Sequence, residues 1–313
     1  MKKSKLVMIG NGMAGVRTLE ELLKIAPDLY DITVFGAEPH PNYNRILLSP
    51  VLAGEQTVDE IVLNSWEWYT DNHITLHAGK KVFEVDRIKR IVRAVDANGA
   101  VTEAEYDRLL LCTGSNPFIL PVPGAALEGV IAYRDIADTN TMIEAATLYK
   151  NAVVIGGGLL GLEAANGLML RGMNVTVVHV MPTLMERQLD TVAGKMLQKS
   201  LEDRGLKFLI GAQTKGLVGN TDDGKGGRVK AIQFKDGTEV AADLVVMAVG
   251  IRPNTELAEK MRLHCNKGIV VNDTMQTTTD ARIYAVGECA GHRGIAYGLV
   301  APLFEQAKVA ANH

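Results

Sequence analysis

Three glycines near the start of the sequence, Gly10, Gly12 and Gly15, have a spacing that suits the binding of a pyrophosphate. They follow a short apolar run and precede a stretch whose apolar residues recur at intervals of three and four, so they stand where a strand turns into a helix. In such a turn the first glycine permits the tight bend, the second lets a pyrophosphate approach the backbone, and the third lets helix and strand pack. Backbone N–H groups and the helix dipole then hold the anion.

An acidic side chain accompanies this first glycine cluster. Glu38 follows the next β-rich run, residues 32–35, and we place it at the end of the second strand. A carboxylate at that position can accept hydrogen bonds from both ribose hydroxyls of an adenosine. The cluster and Glu38 together predict a dinucleotide site, whereas either feature alone also fits an ordinary turn.

A second glycine cluster, Gly156, Gly158 and Gly161, has the same context as the first. Glu163 lies just inside the helix that it opens. The next strand ends at His179, where the usual NAD pattern has an acid that binds the ribose diol. The sequence therefore predicts a second dinucleotide site with an atypical ribose contact.

The nucleotide preference of this second site stays open. His179 weakens the usual case for NAD without supplying the arginine that accommodates a 2′-phosphate. Arg187, in the loop that follows, is either a contact for that phosphate or an ordinary surface residue. We expect a modest preference for NADH.

The two glycine clusters belong to an internal repeat, which decides the architecture. Residues 6–15 recur as residues 153–161, and residues 107–117 recur as residues 243–253. In each repeat the predicted elements follow the order strand, helix, strand, which is typical of a βαβ unit in a parallel sheet. The prediction is an α/β protein with two Rossmann-like dinucleotide-binding domains, parallel central sheets and small antiparallel insertions.

The repeat also predicts the domain boundaries. One domain is discontinuous, residues 1–118 with residues 252–313, and the other spans residues 119–251. Residues 74–106 change to short strands and predict an antiparallel insertion in the first domain. The glycine- and aspartate-rich residues 219–227 predict a surface loop or hairpin tip in the second.

The composition is that of an ordinary globular protein and excludes several classes of function. The chain has 313 residues with 33 basic and 36 acidic side chains, a net charge of −3, and no basic block for binding nucleic acid. No apolar run reaches the roughly 18 residues that span a bilayer. The apolar run at residues 6–9 is too short for a signal peptide, so we expect a cytoplasmic protein without a membrane partner.

Three cysteines, Cys112, Cys265 and Cys289, are far apart and form no Cys-x-x-Cys pair. They indicate neither a disulfide framework nor a zinc site, and each is expected to be a small buried side chain. Two dinucleotide sites in one chain suggest hydride transfer from a nicotinamide to a bound flavin. Because no thiol pair is available, we expect the reduced flavin to pass its electrons to a metal centre instead of a disulfide.

Five motifs, which together extend over nearly the whole chain, carry a resemblance to a known family: residues 10–15, 111–117, 156–163, 248–254 and 279–288. On these motifs the sequence resembles the flavoproteins with two dinucleotide-binding domains of the pyridine-nucleotide disulfide oxidoreductase fold, in the branch without a redox disulfide. Two longer segments are similar to the N-terminal part of the large subunit of assimilatory NAD(P)H-dependent nitrite reductases: residues 35–49 and 287–307.

The resemblance implies bound FAD, NADH or NADPH as substrate, and the positions that bind them. Glu163 is implied to lie near the nicotinamide as the catalytic position. For FAD the resemblance implies the pyrophosphate contacts Gly10, Gly12 and Gly15, the ribose contact Glu38, the phosphate contact Arg45, the flavin neighbours Thr113 and Gly114, and the ribityl contact Glu288. The remaining implied cofactor-binding positions are Ala14, Val82, Gly156, Gly158, Leu159, Leu160, Gly161, His179, Arg187, Gly250 and Gly287.

Two positions depart from the wider fold. Glu288 stands where an aspartate is more common, although it matches the nitrite reductase branch. Pro50 follows Ser49 where many relatives have a lysine near the flavin, and a proline cannot form that lysine's ion pair with Glu163. Glu163 is therefore expected to face solvent more than its counterparts do.

The function that the resemblance implies is that of an FAD-dependent NAD(P)H dehydrogenase module, the electron-input part of an enzyme that reduces nitrite to ammonia. The terminal helical pattern runs to the last residue without a cap, so we expect a fragment of a longer polypeptide, in which sirohaem and an iron–sulfur cluster would be the acceptor. One alternative is a rubredoxin or ferredoxin reductase with a small redox protein as partner. Another is a flavoprotein that senses nucleotides without turnover. No metal site is expected in these 313 residues.

Overall fold

The computed structural model describes residues 3–313. Its α-helices are, in chain order, α1 (Met13–Ile25), α2 (Leu48–Ala53), α3 (Trp66–Asp71), α4 (Ile136–Leu148), α5 (Leu159–Leu170), α6 (Thr191–Glu202), α7 (Glu256–Lys260) and α8 (Val300–Asn312), with 3₁₀ helices at Arg45–Leu47 and Asp59–Ile61. Its strands are β1 (Ser4–Ile9), β2 (Tyr30–Phe35), β3 (Asn42–Tyr43), β4 (Val62–Asn64), β5 (Ile74–His77), β6 (Lys81–Asp86), β7 (Ile91–Val95), β8 (Val101–Glu105), β9 (Arg108–Leu111), β10 (Ser115–Pro117), β11 (Val130–Ala132), β12 (Asn151–Ile155), β13 (Asn174–His179), β14 (Lys207–Ile210), β15 (Thr214–Gly219), β16 (Val229–Phe234), β17 (Glu239–Ala241), β18 (Leu244–Met247), β19 (Ile251–Pro253), β20 (Ile269–Val271), β21 (Ile283–Ala285), β22 (Ala290–His292) and β23 (Ile295–Ala296).

The chain divides into two compact units. Unit 1 holds the described residues up to Asn44 together with Val62–Asn116 and Arg252–His313, and unit 2 holds Arg45–Ile61 and Pro117–Ile251. The prediction set boundaries after residues 118 and 251 and kept residues 45–61 in the first domain, whereas the structure divides the chain after Asn116 and before Arg252 and packs Arg45–Ile61 in unit 2. The assignment of one unit to FAD and the other to NAD(P)H stays a prediction.

Unit 1 is built on a five-stranded parallel sheet in the order β21-β9-β1-β2-β5. Helix α1 buries Val16, Leu19 and Leu22, which recur at helical spacing, and it packs against α8. Each such side chain contributes roughly 1.5–3 kcal/mol by leaving water. The antiparallel insertion is present as the sheet β6-β7-β8. It begins later than the predicted residue 74, because Ile74–His77 forms β5 and pairs with β2 in the parallel sheet.

Unit 2 repeats the plan with a five-stranded parallel sheet in the order β11-β18-β12-β13-β14. Helix α5 buries Leu162, Ala165 and Leu168. An antiparallel sheet, β15-β16-β17, follows, and the predicted hairpin tip at residues 219–227 joins its first two strands. The predicted fold class, an α/β protein with parallel sheets and small antiparallel insertions, is confirmed.

In both units the predicted glycine cluster follows a central strand of the sheet. β1 lies between β2 and β9, and β12 lies between β13 and β18. Ligands of open parallel sheets bind outside the carboxyl ends of the strands, where the strand order reverses in this way. The sheet topology thus places each glycine cluster at the position where a ligand is expected.

None of the helices in the part of the chain from residue 3 onward combines the length and apolar character that crossing a membrane requires.

Candidate functional site

The first glycine cluster has the geometry of a phosphate cradle. Gly10 has a φ of +104°, and a Cβ there would lie 2.1 Å from the carbonyl oxygen of Cys112. A Cβ on Gly12, the residue before α1, would meet nothing within 4 Å, so the space above its backbone is open. A Cβ on Gly15 would come within 2.9 Å of the sulfur atoms of Met8 and Cys112. The three glycines therefore serve a tight turn, an open approach and close packing, as a pyrophosphate site requires.

The second glycine cluster reproduces each of these features. Gly156 has a φ of +125°, and a Cβ there would lie 2.2 Å from the carbonyl oxygen of Ala248. A Cβ on Gly158 would again meet nothing within 4 Å, and one on Gly161 would lie 2.0 Å from the Gly156 carbonyl oxygen. Both clusters thus fit a dinucleotide pyrophosphate, and we name them the first cradle and the second cradle.

Glu38 lies beside the first cradle, in the loop after β2. The strand ends at Phe35, not at Glu38 as predicted, because the chain bends at residues 37–40. The Tyr43 hydroxyl donates a hydrogen bond of 2.6 Å to Glu38 Oε2. The carboxylate is therefore oriented by the protein.

Thr113 and Glu288 are both held by hydrogen bonds inside unit 1. The Thr113 hydroxyl donates to the Asn254 carbonyl at 2.7 Å, and the Asn254 N–H donates to the Gly114 carbonyl at 2.9 Å. The Ser115 hydroxyl donates to Glu288 Oε2 at 2.7 Å. Glu288, whose side chain is longer than the aspartate that is more common at this position, thus accepts a hydrogen bond from the Ser115 hydroxyl.

The other positions implied for FAD lie in different environments. A Cβ on Gly287 would lie 3.1 Å from the Cβ of Ala14, so the residues around Gly287 pack closely against the start of α1. Val82 is half-buried in the antiparallel sheet of unit 1. Arg45 belongs to unit 2, where its guanidinium donates to the Arg134 carbonyl at 2.8 Å. The structure describes these placements, and the cofactor contacts themselves stay predictions.

Glu163 is half-buried on α5 and is bonded to a hydroxyl from α2. The Ser49 hydroxyl donates a hydrogen bond of 2.7 Å to Glu163 Oε2. The Tyr133 hydroxyl in turn lies 3.4 Å from the Ser49 oxygen, and burial raises the pKa of Tyr133 to about 12. Pro50 stands in the first turn of α2, where the missing N–H removes no helical hydrogen bond. The hydroxyl that donates to Glu163 thus belongs to Ser49, the residue immediately before Pro50.

His179 ends β13 as predicted, but its ring faces the protein. The residue is 8% exposed, and the Gly157 N–H donates to its Nδ1 at 3.0 Å. Its Nε2 lies 3.1 Å from both the Thr183 carbonyl oxygen and Glu186 Oε2. Both ring nitrogens are thus engaged within the protein, and the contact of His179 with the nucleotide stays a prediction.

Four further predicted positions lie in unit 2. Leu159 and Leu160 open α5 with 57% and 38% of their surfaces exposed. Gly250 has a φ of +117°, and its carbonyl accepts a hydrogen bond from the Phe118 N–H. Arg187 is exposed in the loop between β13 and α6.

Sequence reasoning missed Ser49 as the partner of Glu163, and it missed Gly157, Thr183 and Glu186 around His179. The glycine spacing did contain one signal, because the residue between Gly156 and Gly158 is itself a glycine. No spacing rule predicts Ser49, Thr183 or Glu186. Ser49 comes close to Glu163 only because α2 packs on α5, and the other two residues come close to His179 only through the fold of the loop after β13.

Cys112 and Cys289 are buried as predicted, whereas Cys265, also predicted to be buried, is only half-buried. Cys112, Cys265 and Cys289 are all free thiols. Burial raises the pKa of Cys112 and of Cys289, and it raises that of Cys265 to about 11. Thiols with such pKa values stay protonated at neutral pH and lack the thiolate that disulfide exchange needs. In the described part of the chain, no three side chains of His, Cys, Asp or Glu are grouped as metal ligands would be.

Comparison with known proteins identifies relatives over the whole chain. The family model for pyridine nucleotide-disulphide oxidoreductases matches residues 4–313. The chain is 57% identical to a nitrite reductase [NAD(P)H] of Bacillus subtilis (strain 168), a match that covers 100% of the chain and 38% of that protein. It is 48% identical to an assimilatory nitrate reductase electron transfer subunit of the same organism, over 100% of the chain and 39% of that protein.

Among solved structures, a ferredoxin reductase from Rhodopseudomonas palustris is similar with a TM-score of 0.89 and 26% sequence identity. That match covers 99% of the chain and 75% of the reductase. The chain spans less than two-fifths of the length of the two curated relatives.

Proposed function

The chain belongs to the pyridine nucleotide-disulphide oxidoreductase family, and on that premise we propose that it is an NAD(P)H dehydrogenase module that binds FAD and delivers electrons to a metal centre. The observation that carries this proposal is the pair of cradles, each with open space above its second glycine. Two pyrophosphate sites in one chain suit one flavin and one nicotinamide dinucleotide.

Bound FAD would supply the redox chemistry, accepting a hydride from a nicotinamide and releasing electrons to the next acceptor. The part of the chain's own residues is binding and orientation. We assign the first cradle and Glu38 to FAD, and the second cradle to NADH or NADPH. Hydride transfer needs no general acid or base, so accurate positioning by the two cradles is the chain's main contribution to the rate.

The hydrogen bonds around the predicted site residues support this role. The Thr113 hydroxyl donates to the Asn254 carbonyl. The hydroxyls of Ser115 and Ser49 donate to the carboxylates of Glu288 and Glu163, respectively, and each bond restricts the side chain concerned. Side chains that are fixed before the ligand arrives lose less conformational entropy on binding. Following the resemblance to the family, we assign Glu163 to the nicotinamide region and Glu288 to the flavin region.

We further propose that the reaction served is the reduction of nitrite to ammonia. The support is 57% identity over the whole chain to a protein named nitrite reductase [NAD(P)H]. In such a nitrite reductase, an iron–sulfur cluster and sirohaem would accept the electrons. The three buried or half-buried cysteines of this chain fall short of the about four thiolates that a [4Fe–4S] cluster requires in most ligation schemes.

A second candidate is an NAD(P)H-dependent ferredoxin or rubredoxin reductase. The observation that favours it is the TM-score of 0.89 to a ferredoxin reductase over 99% of the chain. The two candidates share the FAD and nicotinamide sites, and they differ only in whether the acceptor is a metal centre of the same enzyme or a small redox protein.

The acceptor assay tests the proposal. The FAD-loaded chain should oxidise NADH with ferricyanide, contain no iron, and form no ammonia from nitrite by itself. A rate with a ferredoxin or rubredoxin comparable to that with ferricyanide would favour the second candidate. Stoichiometric iron in the purified chain, or consumption of nitrite by it, would contradict the proposed division of labour.

A further inference from the structure

Gly157, between the first two glycines of the second cradle, is covered by two side chains. A Cβ at this position would lie 2.7 Å from Cγ of His179 and 2.7 Å from Cδ2 of Leu184. Real Cβ atoms do not approach other atoms so closely, so only glycine lets the imidazole lie against the cradle backbone. The ring of His179 therefore contacts the second cradle directly.

The hydrogen bonds of this imidazole define its tautomer. The Gly157 N–H donates to Nδ1 at 3.0 Å, so Nδ1 carries a lone pair and the ring hydrogen of the neutral side chain is on Nε2. Nε2 then faces two acceptors, the Thr183 carbonyl oxygen and Glu186 Oε2, both at 3.1 Å. His179 thus links the cradle backbone to the Glu186 carboxylate.

The loop that carries Glu186 is fastened to the same glycine. Met185 has a φ of +54°, a left-handed conformation that is uncommon for a residue with a side chain. Its N–H donates to the Gly157 carbonyl at 3.0 Å, and its own carbonyl accepts from the N–H groups of Gln188 and Leu189. These bonds stabilise a turn that would otherwise be unfavourable, and they place the next residue, Glu186, beside the second cradle.

We propose that Glu186, positioned by His179, supplies the carboxylate that binds the adenosine ribose diol of the nicotinamide nucleotide and disfavours a 2′-phosphate; this rests on the proposed function of the second cradle. The Glu186 side chain is 29% exposed, so its carboxylate is both held by His179 and reachable from solvent. A carboxylate accepts hydrogen bonds from two ribose hydroxyls and repels a phosphate in the same place. Glu186 thereby provides from the loop the acid that the strand end lacks.

Isothermal titration of the FAD-saturated protein tests this assignment without any redox step. The two probes are ADP-ribose and 2′-phospho-ADP-ribose, which differ only at the group that Glu186 is proposed to read. The wild-type protein should bind ADP-ribose about tenfold more tightly than its 2′-phosphate, which corresponds to about 1.4 kcal/mol. Glu186→Gln should weaken ADP-ribose about tenfold and should not weaken the 2′-phosphate, because a carboxylate accepts hydrogen bonds more strongly than a neutral amide.

Two further variants separate recognition from folding and general charge. Glu202→Gln removes the same charge from the exposed end of α6 in the same unit, and it should leave both affinities unchanged. His179→Asn can keep an acceptor near the Gly157 N–H but cannot reach Glu186, so the ratio of the two affinities should fall toward that of Glu186→Gln. A purely structural role for His179 would instead weaken both probes by the same factor.

Each outcome of the titration decides the assignment. Equal weakening of both probes by Glu186→Gln, or no change in their ratio, would overturn the role of Glu186 while leaving the second cradle as a nucleotide site. Failure of the wild-type protein to bind either probe would overturn the assignment of that cradle to NAD(P)H, and the role of Glu186 with it.

Discussion

The hydroxyl of Ser49 donates a hydrogen bond of 2.7 Å to the carboxylate of Glu163, although the two residues are 114 positions apart in the chain. The bond exists because α2 packs on α5: the Arg171 guanidinium donates to the Leu52 and Val51 carbonyls at the end of α2. The segment Arg45–Ile61 thus holds a hydroxyl against Glu163, the position for which the resemblance to the family predicts a catalytic role.

Removing this hydroxyl should affect both stability and the reaction. Ser49→Ala should lower the free energy of unfolding by about 1 kcal/mol, the usual contribution of one hydrogen bond, with a larger loss if the carboxylate stays unsatisfied. Flavin reduction by NADH should slow severalfold if Glu163 lies at the nicotinamide. Ser200→Ala, an exposed change on α6, is the control in both chemical denaturation and stopped-flow measurements. Unchanged reduction kinetics in Ser49→Ala would remove the proposed role of the bond.

The open space above the second glycine of each cradle makes a paired prediction. Gly12→Val should abolish FAD binding, and Gly158→Val should abolish binding of the nicotinamide nucleotide while FAD is retained, because each side chain fills one pyrophosphate position. Neither glycine has a positive φ, so the folds should persist. Flavin absorbance after desalting and titration with NADH distinguish the two effects. Full flavin content in Gly12→Val would contradict the assignment of the first cradle.

The contact between Gly167 of α5 and Leu52 of α2 gives a prediction about stability. Alanine normally stabilises a helix relative to glycine by up to about 1 kcal/mol. Here a Cβ would lie 2.7 Å from Leu52 Cγ in a fully buried contact, so Gly167→Ala should instead destabilise the protein by about 1–3 kcal/mol.

The matched control for this contact is a double-mutant cycle. Leu52→Ala alone leaves a cavity, and adding Gly167→Ala to it should cost less than Gly167→Ala costs in the wild type, because the clash is gone. Additive free energies of unfolding for the two changes would show that α2 and α5 do not pack in this way.

Buried tyrosines predict a loss of stability at alkaline pH. Burial raises the pKa of Tyr133 to about 12 from its ordinary value of 10.0. Between these two values the unfolded chain has lost the phenolic proton and the folded chain has kept it, so the free energy of unfolding falls as pH rises. Tyr133→Phe should reduce that slope by at most about 1.4 kcal/mol per pH unit. Chemical denaturation at several pH values between about 9 and 12 measures it, and an unchanged slope would contradict the burial of this hydroxyl.

The cradles could be predicted from the sequence because their determinants are local. Gly10 and Gly156 need a positive φ within one turn, and the glycine spacing reports this need directly. The surroundings of Glu163 and His179 could not be predicted in the same way. Ser49 belongs to Arg45–Ile61, which packs in unit 2 although its sequence position suggested unit 1. Glu186 reaches His179 through a turn in which Met185 has a positive φ.

The electron-input role is tested most directly by anaerobic stopped-flow mixing of the FAD-loaded chain with NADH. The visible absorbance of the flavin should bleach in a single turnover, without any added acceptor, because the hydride step needs only the two dinucleotide sites. Flavin that stays oxidised, although titration shows both FAD and NADH bound to the protein, would contradict the proposed function.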